Sequence, residues 1–245
     1  MEGIKSKCDS STLITGGLAG DGGEFKETSV IYNGDVFHDS IICMGLSGDK
    51  ISATFGSQGG WKTFGPIRNI TKAEDNVLYE IDGESALDVY KKYLGPKAAE
   101  LPASGLLYPF AIIQDNDEES GLIRTILAVD EEKGSLHFAG DVPMGGRLRL
   151  MHTDNKGLAL GASEAASSAG GDSSDFLALL VSCVGRKIVM GTDVDDEVDA
   201  VKDELGENAV VTGFYSYGEL APHKKRENCQ LHNQTMTITC IKEAA

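Results

Sequence analysis

The chain has 245 residues, enough for one large hydrophobic core or two ordinary ones, and its 41% hydrophobic and 24% charged content is that of a soluble globular protein. Its formal net charge of −16, from 38 acidic and 22 basic residues, repels nucleic-acid phosphates and anionic lipid, and no basic stripe compensates it. The longest apolar run, Phe176 to Val184, suits a buried strand and is too short to cross a bilayer.

The N-terminal M-E-G-I-K-S-K-C-D is too polar for a signal peptide, so a cytoplasmic location is expected. The five cysteines (Cys8, Cys43, Cys183, Cys229, Cys240) are widely spaced and form no C-x-x-C pair, which fits reduced thiols better than a zinc knuckle. The first patterned segment is L-I-T-G-G-L-A-G-D-G-G, Leu13 to Gly23. It is rich in glycine, but no G-K-[ST] follows and strand rather than helix comes next, so neither a P-loop nor a dinucleotide fingerprint is present.

Next, V-I-Y-N-G-D-V-F reads as a hairpin turning at Asn33-Gly34, and I-I-C-M-G-L and I-S-A-T-F extend it into an antiparallel meander over 28–56. Trp61 follows among four glycines and is expected to pack its loop onto a sheet. A helix is expected after Asp82, with Leu87, Tyr90 and Leu94 on one face and Gly95-Pro96 as the stop. Pro96, Pro102 and Pro109 mark the connection between two halves. Strands follow at F-A-I-I, in the hairpin T-I-L-A-V-D-E-E-K-G-S-L-H-F and at R-L-R-L-M. A helix over Leu158 to Ala169 carries a face of Ala162, Ala165, Ala166 and Ala169 that suits close packing on a sheet.

Then come the core run F-L-A-L-L-V-S-C-V, K-I-V-M-G, and an acidic helix from after Thr192 to Gly206. Val194, Val198, Val201 and Leu205 stripe that helix, and its acids load the first turn. The strand A-V-V-T-G is expected to stop at its glycine, giving a strand–helix–strand unit with a hairpin behind it. His223 to Arg226, H-K-K-R, reads as a solvated turn. A last strand is expected to open with His232, Asn233 and Gln234. V-V-T-G-F-Y-S-Y-G-E-L-A-P echoes the glycine-rich segment near the N-terminus, so the chain reads as mixed α/β, α+β-like, with largely antiparallel or mixed sheets, a few packed helices and two pseudo-symmetric halves. Only a polar stub precedes the first echo, which reads as a fragment of a longer protein.

Strand ends gather binding groups, because the sheet fixes them and the loops let them converge. Arg186 suits a carboxylate clamp and Glu219 an ammonium; Tyr215 and Tyr217 are expected on one side of an extended segment, with His232, Asn233 and Thr235 supplying oriented polar groups. An amino acid or similar small zwitterion satisfies this set. The bland alternative is an Arg186–Glu219 staple. Cys183 beside His232 is the one nucleophile–base pairing available, against which stands the usual role of a thiol in an apolar run as a small core residue. No catalytic set, metal set or cofactor motif is read; a lone axial histidine for haem, or a metal held by His232 and Glu219, is the alternative.

At V-S-C-V-G-R-K, the acidic helix, G-F-Y-S-Y-G-E-L-A-P and L-H-N-Q-T-M-T-I-T, the chain closely resembles the FIST domain family. Residues 106–242 resemble a complete FIST C-terminal domain and residues 10–95 the later part of the FIST N-terminal domain, with 96–105 as linker. The resemblance implies an intracellular, non-catalytic sensory domain for a small ligand, with amino acids the ligands proposed for the family, and an output supplied by a partner protein or a domain outside this chain.

Overall fold

The computed structural model describes residues 2–9, 11–24, 26–113, 119–170, 175–222 and 229–243. The first part of the chain runs α1 (Glu2–Lys5), β1 (Gly16–Gly17), β2 (Ser29–Tyr32), β3 (Asp35–His38), β4 (Ile51–Gln58), β5 (Lys62–Glu74), β6 (Val77–Ile81), β7 (Glu84–Ser85) and α2 (Ala86–Leu94). The middle runs β8 (Phe110–Ile113), β9 (Glu119–Arg124), β10 (Ile126–Asp130), β11 (Ser135–Phe138), β12 (Arg147–His152) and α3 (Asn155–Ala169). The last part runs β13 (Phe176–Cys183), α4 (Val184–Met190), α5 (Asp195–Leu205), β14 (Ala209–Ser216), β15 (Glu219–Ala221), β16 (Gln230–His232) and β17 (Met236–Glu243). The architecture is mixed α/β, as expected.

Two compact units result. One comprises Met1–Gly59, Ala159–Leu231 and Thr235–Ala245; the other comprises Gly60–Leu158 and His232–Gln234. The second unit is an antiparallel sheet in the order β10-β11-β6-β5-β12-β8-β9, with β7 on β6. Helix α2 starts on Ser85, whose hydroxyl accepts the Asp88 N–H, and stops at Gly95 in the left-handed region. It buries Leu87, Tyr90 and Leu94 against Ile70, Leu78, Phe110, Leu136 and Leu148, each fully buried apolar side chain contributing about 1.5–3 kcal/mol. Trp61 lies just ahead of β5, packs on the Ala111–Ile113–Ile123–Met151 cluster and donates its Nε1–H to the Gln234 carbonyl at 2.9 Å, so the packing role expected for it holds. Pro66 sits inside β5 where the register against β12 shifts, the place in a sheet that tolerates a missing N–H.

The first unit carries the sheet β14-β13-β17-β4. Strands β13 and β14 are parallel, from Phe176 opposite Ala209 to Cys183 opposite Ser216, joined through α4 and α5 as the expected strand–helix–strand unit. K-I-V-M-G falls in α4 and the turn after it. On the other side of β13, β17 runs antiparallel, and β4 pairs with it along its whole length. The alanine face of α3 does pack on the sheet: Ala162, Ala165, Ala166 and Ala169 meet Phe176, Ala178, Leu180 and Ile238. The approach is so close that a Cβ on Gly56 would lie 1.9 Å from the Ala165 carbonyl oxygen.

Three local expectations change. The hairpin turns at Asn33 (φ 51°) and Gly34 (φ 90°) as read, but I-I-C-M-G-L is not a strand, and Ile41 and Met44 are 73% and 82% exposed. Strand β4 takes its ladder from β17, and among the described residues no strand pairs with 41–46, so the meander does not form. The A-V-V-T-G strand passes through its glycine to Ser216; a Cβ on Gly213 would fall 2.0 Å from the Leu180 oxygen, so this glycine serves close strand packing. His232 ends β16 rather than opening a strand, and Asn233 to Thr235 form the turn into β17, with Gln234 left-handed at φ 58°. His223 to Arg226 lie outside the described residues.

Candidate functional site

The carboxyl ends of β13 and β14 are where an open sheet with parallel strands presents side chains to a ligand. Residues opposite one another on parallel strands share a face, so Ser182 and Tyr215 point one way and Cys183 and Ser216 the other. On the first face both hydroxyls meet Glu197 of α5. Ser182 Oγ and Tyr215 Oη each donate to Glu197 Oε1 at 2.9 Å. Arg186, in the first turn of α4, donates its Nε–H to Glu197 Oε2 at 2.9 Å and an Nη1–H to the Gly59 carbonyl at 2.8 Å. Arg186 and Glu197 are both 0% exposed. Burial and the neighbouring Glu197 carboxylate push the Tyr215 phenol up, while Lys187 Nζ stands 5.0 Å over its ring.

On the other face sits Glu219, also fully buried. It accepts from Ser216 Oγ at 2.8 Å, from Thr235 Oγ1 at 3.0 Å and from the Thr235 N–H at 3.3 Å. Burial lifts its carboxyl to about 7, against the pull of those donors and of the Arg186 charge. Glu197 and Glu219 thus differ in kind: one lies against a guanidinium, the other is held by neutral donors.

The two sequence echoes meet beside this cluster. Gly16 pairs with Leu220 and Gly17 with Glu219 in an antiparallel ladder, extended by Leu18 N–H to Gly218 O at 2.9 Å and Tyr217 N–H to Leu18 O at 3.2 Å. The Tyr217 hydroxyl donates to Asp21 and accepts the Gly23 N–H at 2.7 Å. A Cβ on Gly17 would sit 2.7 Å from Val181 Cγ1 and 2.8 Å from Ser216 Cβ, so only glycine permits this ladder.

Of the residues named from sequence, Arg186, Tyr215, Glu219 and Thr235 gather at these strand ends. Cys183 is there too, buried at the start of α4, with its N–H on the Thr235 carbonyl at 3.1 Å. The ion pair of Arg186 is with Glu197, not the Glu219 staple. Tyr215 and Tyr217 do not share a partner: one reaches α5, the other the loop after β1. His232 and Asn233 are counted with the second unit, where Asn233 Nδ2 donates to Ala139 O at 3.4 Å and to His232 O at 3.0 Å.

Sequence reasoning missed Glu197, Ser182 and Ser216. Glu197 has a signal: it precedes Val201 by four residues and Leu205 by eight, on the buried stripe of α5, whereas the sequence reading takes it only as one of the acids that load the first turn. The serines gave none, since their burial comes from strand pairing.

An open concavity lined by Glu84, Ser85, Asp88, Lys91 and Lys92 lies on the second unit, with Lys92 on Glu84 and Lys91 on Glu131, both at 2.6 Å. Among the described residues no group of three or more His, Cys, Asp or Glu side chains is arranged to hold a metal ion. No helix among them is long and apolar enough to cross a membrane.

Residues 1–84 match the FIST N domain and residues 86–222 the FIST C domain. The chain is 30% identical over 156 residues to the uncharacterized protein MJ1623 of Methanocaldococcus jannaschii, a match covering 58% of this chain and 29% of the relative, well under two thirds of its length. No solved structure matches the chain. With the two domain matches together spanning most of its length, the chain belongs to the FIST family, whose domains are sensory domains of signal transduction.

Proposed function

We propose that this protein is a cytoplasmic, non-catalytic sensory module, and that the polar cluster at the carboxyl ends of β13 and β14 takes up an amino acid or similar small polar molecule. One observation carries the reading: two buried acidic side chains with different partners, Glu197 on a guanidinium and Glu219 on neutral donors, stand at the carboxyl ends of the same two parallel strands, one toward each face. A buried ion pair adds little stability over apolar side chains of the same volume, so stability alone does not account for Arg186 and Glu197 at these strand ends, which supports a binding role. A ligand carboxylate competes with Glu197 for the Arg186 fork. A ligand ammonium releases the Glu219 proton and binds the carboxylate formed. Displacing Glu197 from Arg186 bears on α5, and displacing the bonds of Glu219 bears on the β1–β15 ladder. Either movement gives a partner protein or an output domain something to read. Nucleic acid is no candidate ligand for a chain of net charge −16.

The test is a thermal-shift screen of the amino acids against the parent chain and against Tyr215→Phe and Glu219→Gln, which keep side-chain volume. The expected result is ligand-dependent stabilisation of the parent and its loss in both variants, which still melt cooperatively without ligand. A panel in which no amino acid stabilises the parent, or in which both variants respond like the parent, overturns the reading.

A further inference from the structure

The turn from Asn233 to Thr235 holds two buried carboxamides. Asn233 is 1% and Gln234 0% exposed. Their amide nitrogens are committed: Asn233 Nδ2 to the Ala139 and His232 carbonyls, Gln234 Nε2 to the Leu106 carbonyl at 3.2 Å. Because those partners are acceptors, neither amide can be turned over without setting oxygen against oxygen, so the orientation of each is determined by chemistry. That leaves Asn233 Oδ1 and Gln234 Oε1 buried with no hydrogen-bond partner among the described residues. A buried acceptor left unmatched is costly, and unlike the hydroxyls of Ser135 and Thr125, which also lack partners, a carboxamide oxygen cannot rotate away from its position once its nitrogen is held. The backbone is pinned in the same place: Gln234 adopts a left-handed conformation, and Trp61 holds its carbonyl. Strain of this kind in a non-glycine residue, beside unmatched polar atoms, is a feature of ligand clamps.

We propose that Asn233 Oδ1 and Gln234 Oε1 form a subsite for a neutral N–H donor, the primary carboxamide class. The acceptors are uncharged, so a neutral donor satisfies them without bringing an unpaired charge into the interior. This subsite lies within the second unit and stands apart from the amino-acid reading of the β13–β14 cluster.

The experiment compares acetamide with N,N-dimethylacetamide, which keeps the carbonyl and lacks N–H. With the full chain, acetamide should raise the melting temperature saturably and dimethylacetamide should not. Gln234→Met, close in shape but without the acceptor, should lose that response. Equal response to both compounds, or to neither, overturns the proposal. Should Gln234→Met fail to fold, a crystal structure grown in acetamide decides: an amide nitrogen within hydrogen-bond distance of both oxygens supports the subsite, and ordered water alone at both refutes it.

Discussion

Glu197→Ala isolates what the buried ion pair does for the fold. The substitution leaves the Arg186 guanidinium at 0% exposure with its Gly59 contact but without its carboxylate, and takes the acceptor from Ser182 and Tyr215. Removing one member of a buried pair costs about 3–5 kcal/mol. Tyr215 is half-buried, so water recovers part of its bond, while Ser182 stays inside. A loss near 4 kcal/mol is therefore expected, a large share of the ~5–15 kcal/mol typical of a folded chain. For a protein of this size that is a fall of roughly 8–16 °C in melting temperature. Urea denaturation at equilibrium measures it. The double variant Arg186→Met with Glu197→Leu removes both charges and keeps the volume, so it should be more stable than Glu197→Ala, short of the parent by the bonds lost at Ser182, Tyr215 and Gly59. If Glu197→Ala loses under about 1 kcal/mol, or the double variant is the less stable of the two, the buried pair does not stabilise the strand ends by charge pairing.

Glu219 predicts a pH dependence of definite sign. Its carboxyl is raised from 4.5 to about 7 in the folded protein, so within that window the folded chain keeps a proton that the unfolded chain has released. Stability therefore falls as pH rises through the window and levels off above it, by about 3 kcal/mol in all. Glu219→Gln, whose Nε2 can donate to Ser216 while its oxygen still accepts from Thr235, should flatten that slope and exceed the parent in stability at pH 8; identical slopes in denaturation across the window contradict the assignment. Gly56→Ala places a Cβ 1.9 Å from the Ala165 oxygen and 2.7 Å from the Ala169 nitrogen, both backbone atoms, so α3 must lift. The expected cost is about 1–3 kcal/mol by the urea midpoint. Gly45→Ala, with nothing within 4 Å, serves as the neutral control.

By itself the sequence determined the parts whose signals are local. The helices α2 and α5 were legible because apolar spacing and glycine stops act within a few residues, and the Asn33-Gly34 turn because both positions favour positive φ. The family was legible from long motifs. Arg186, Tyr215, Glu219 and Thr235 were legible as polar groups at strand ends. Tertiary structure decided their partners, because partners depend on which strands lie side by side. Parallel pairing of β13 with β14 puts Ser182 and Tyr215 on one face with Glu197, and turns Ser216 toward Glu219. Pairing with β17 gives β4 its ladder, while among the described residues no strand pairs with I-I-C-M-G-L, though its composition suits a strand as well as I-S-A-T-F does. The echo of L-I-T-G-G-L-A-G-D in G-F-Y-S-Y-G-E was visible in the residues. That the two copies form one ladder, with Gly17 opposite Glu219, follows only from long-range pairing that no local pattern encodes.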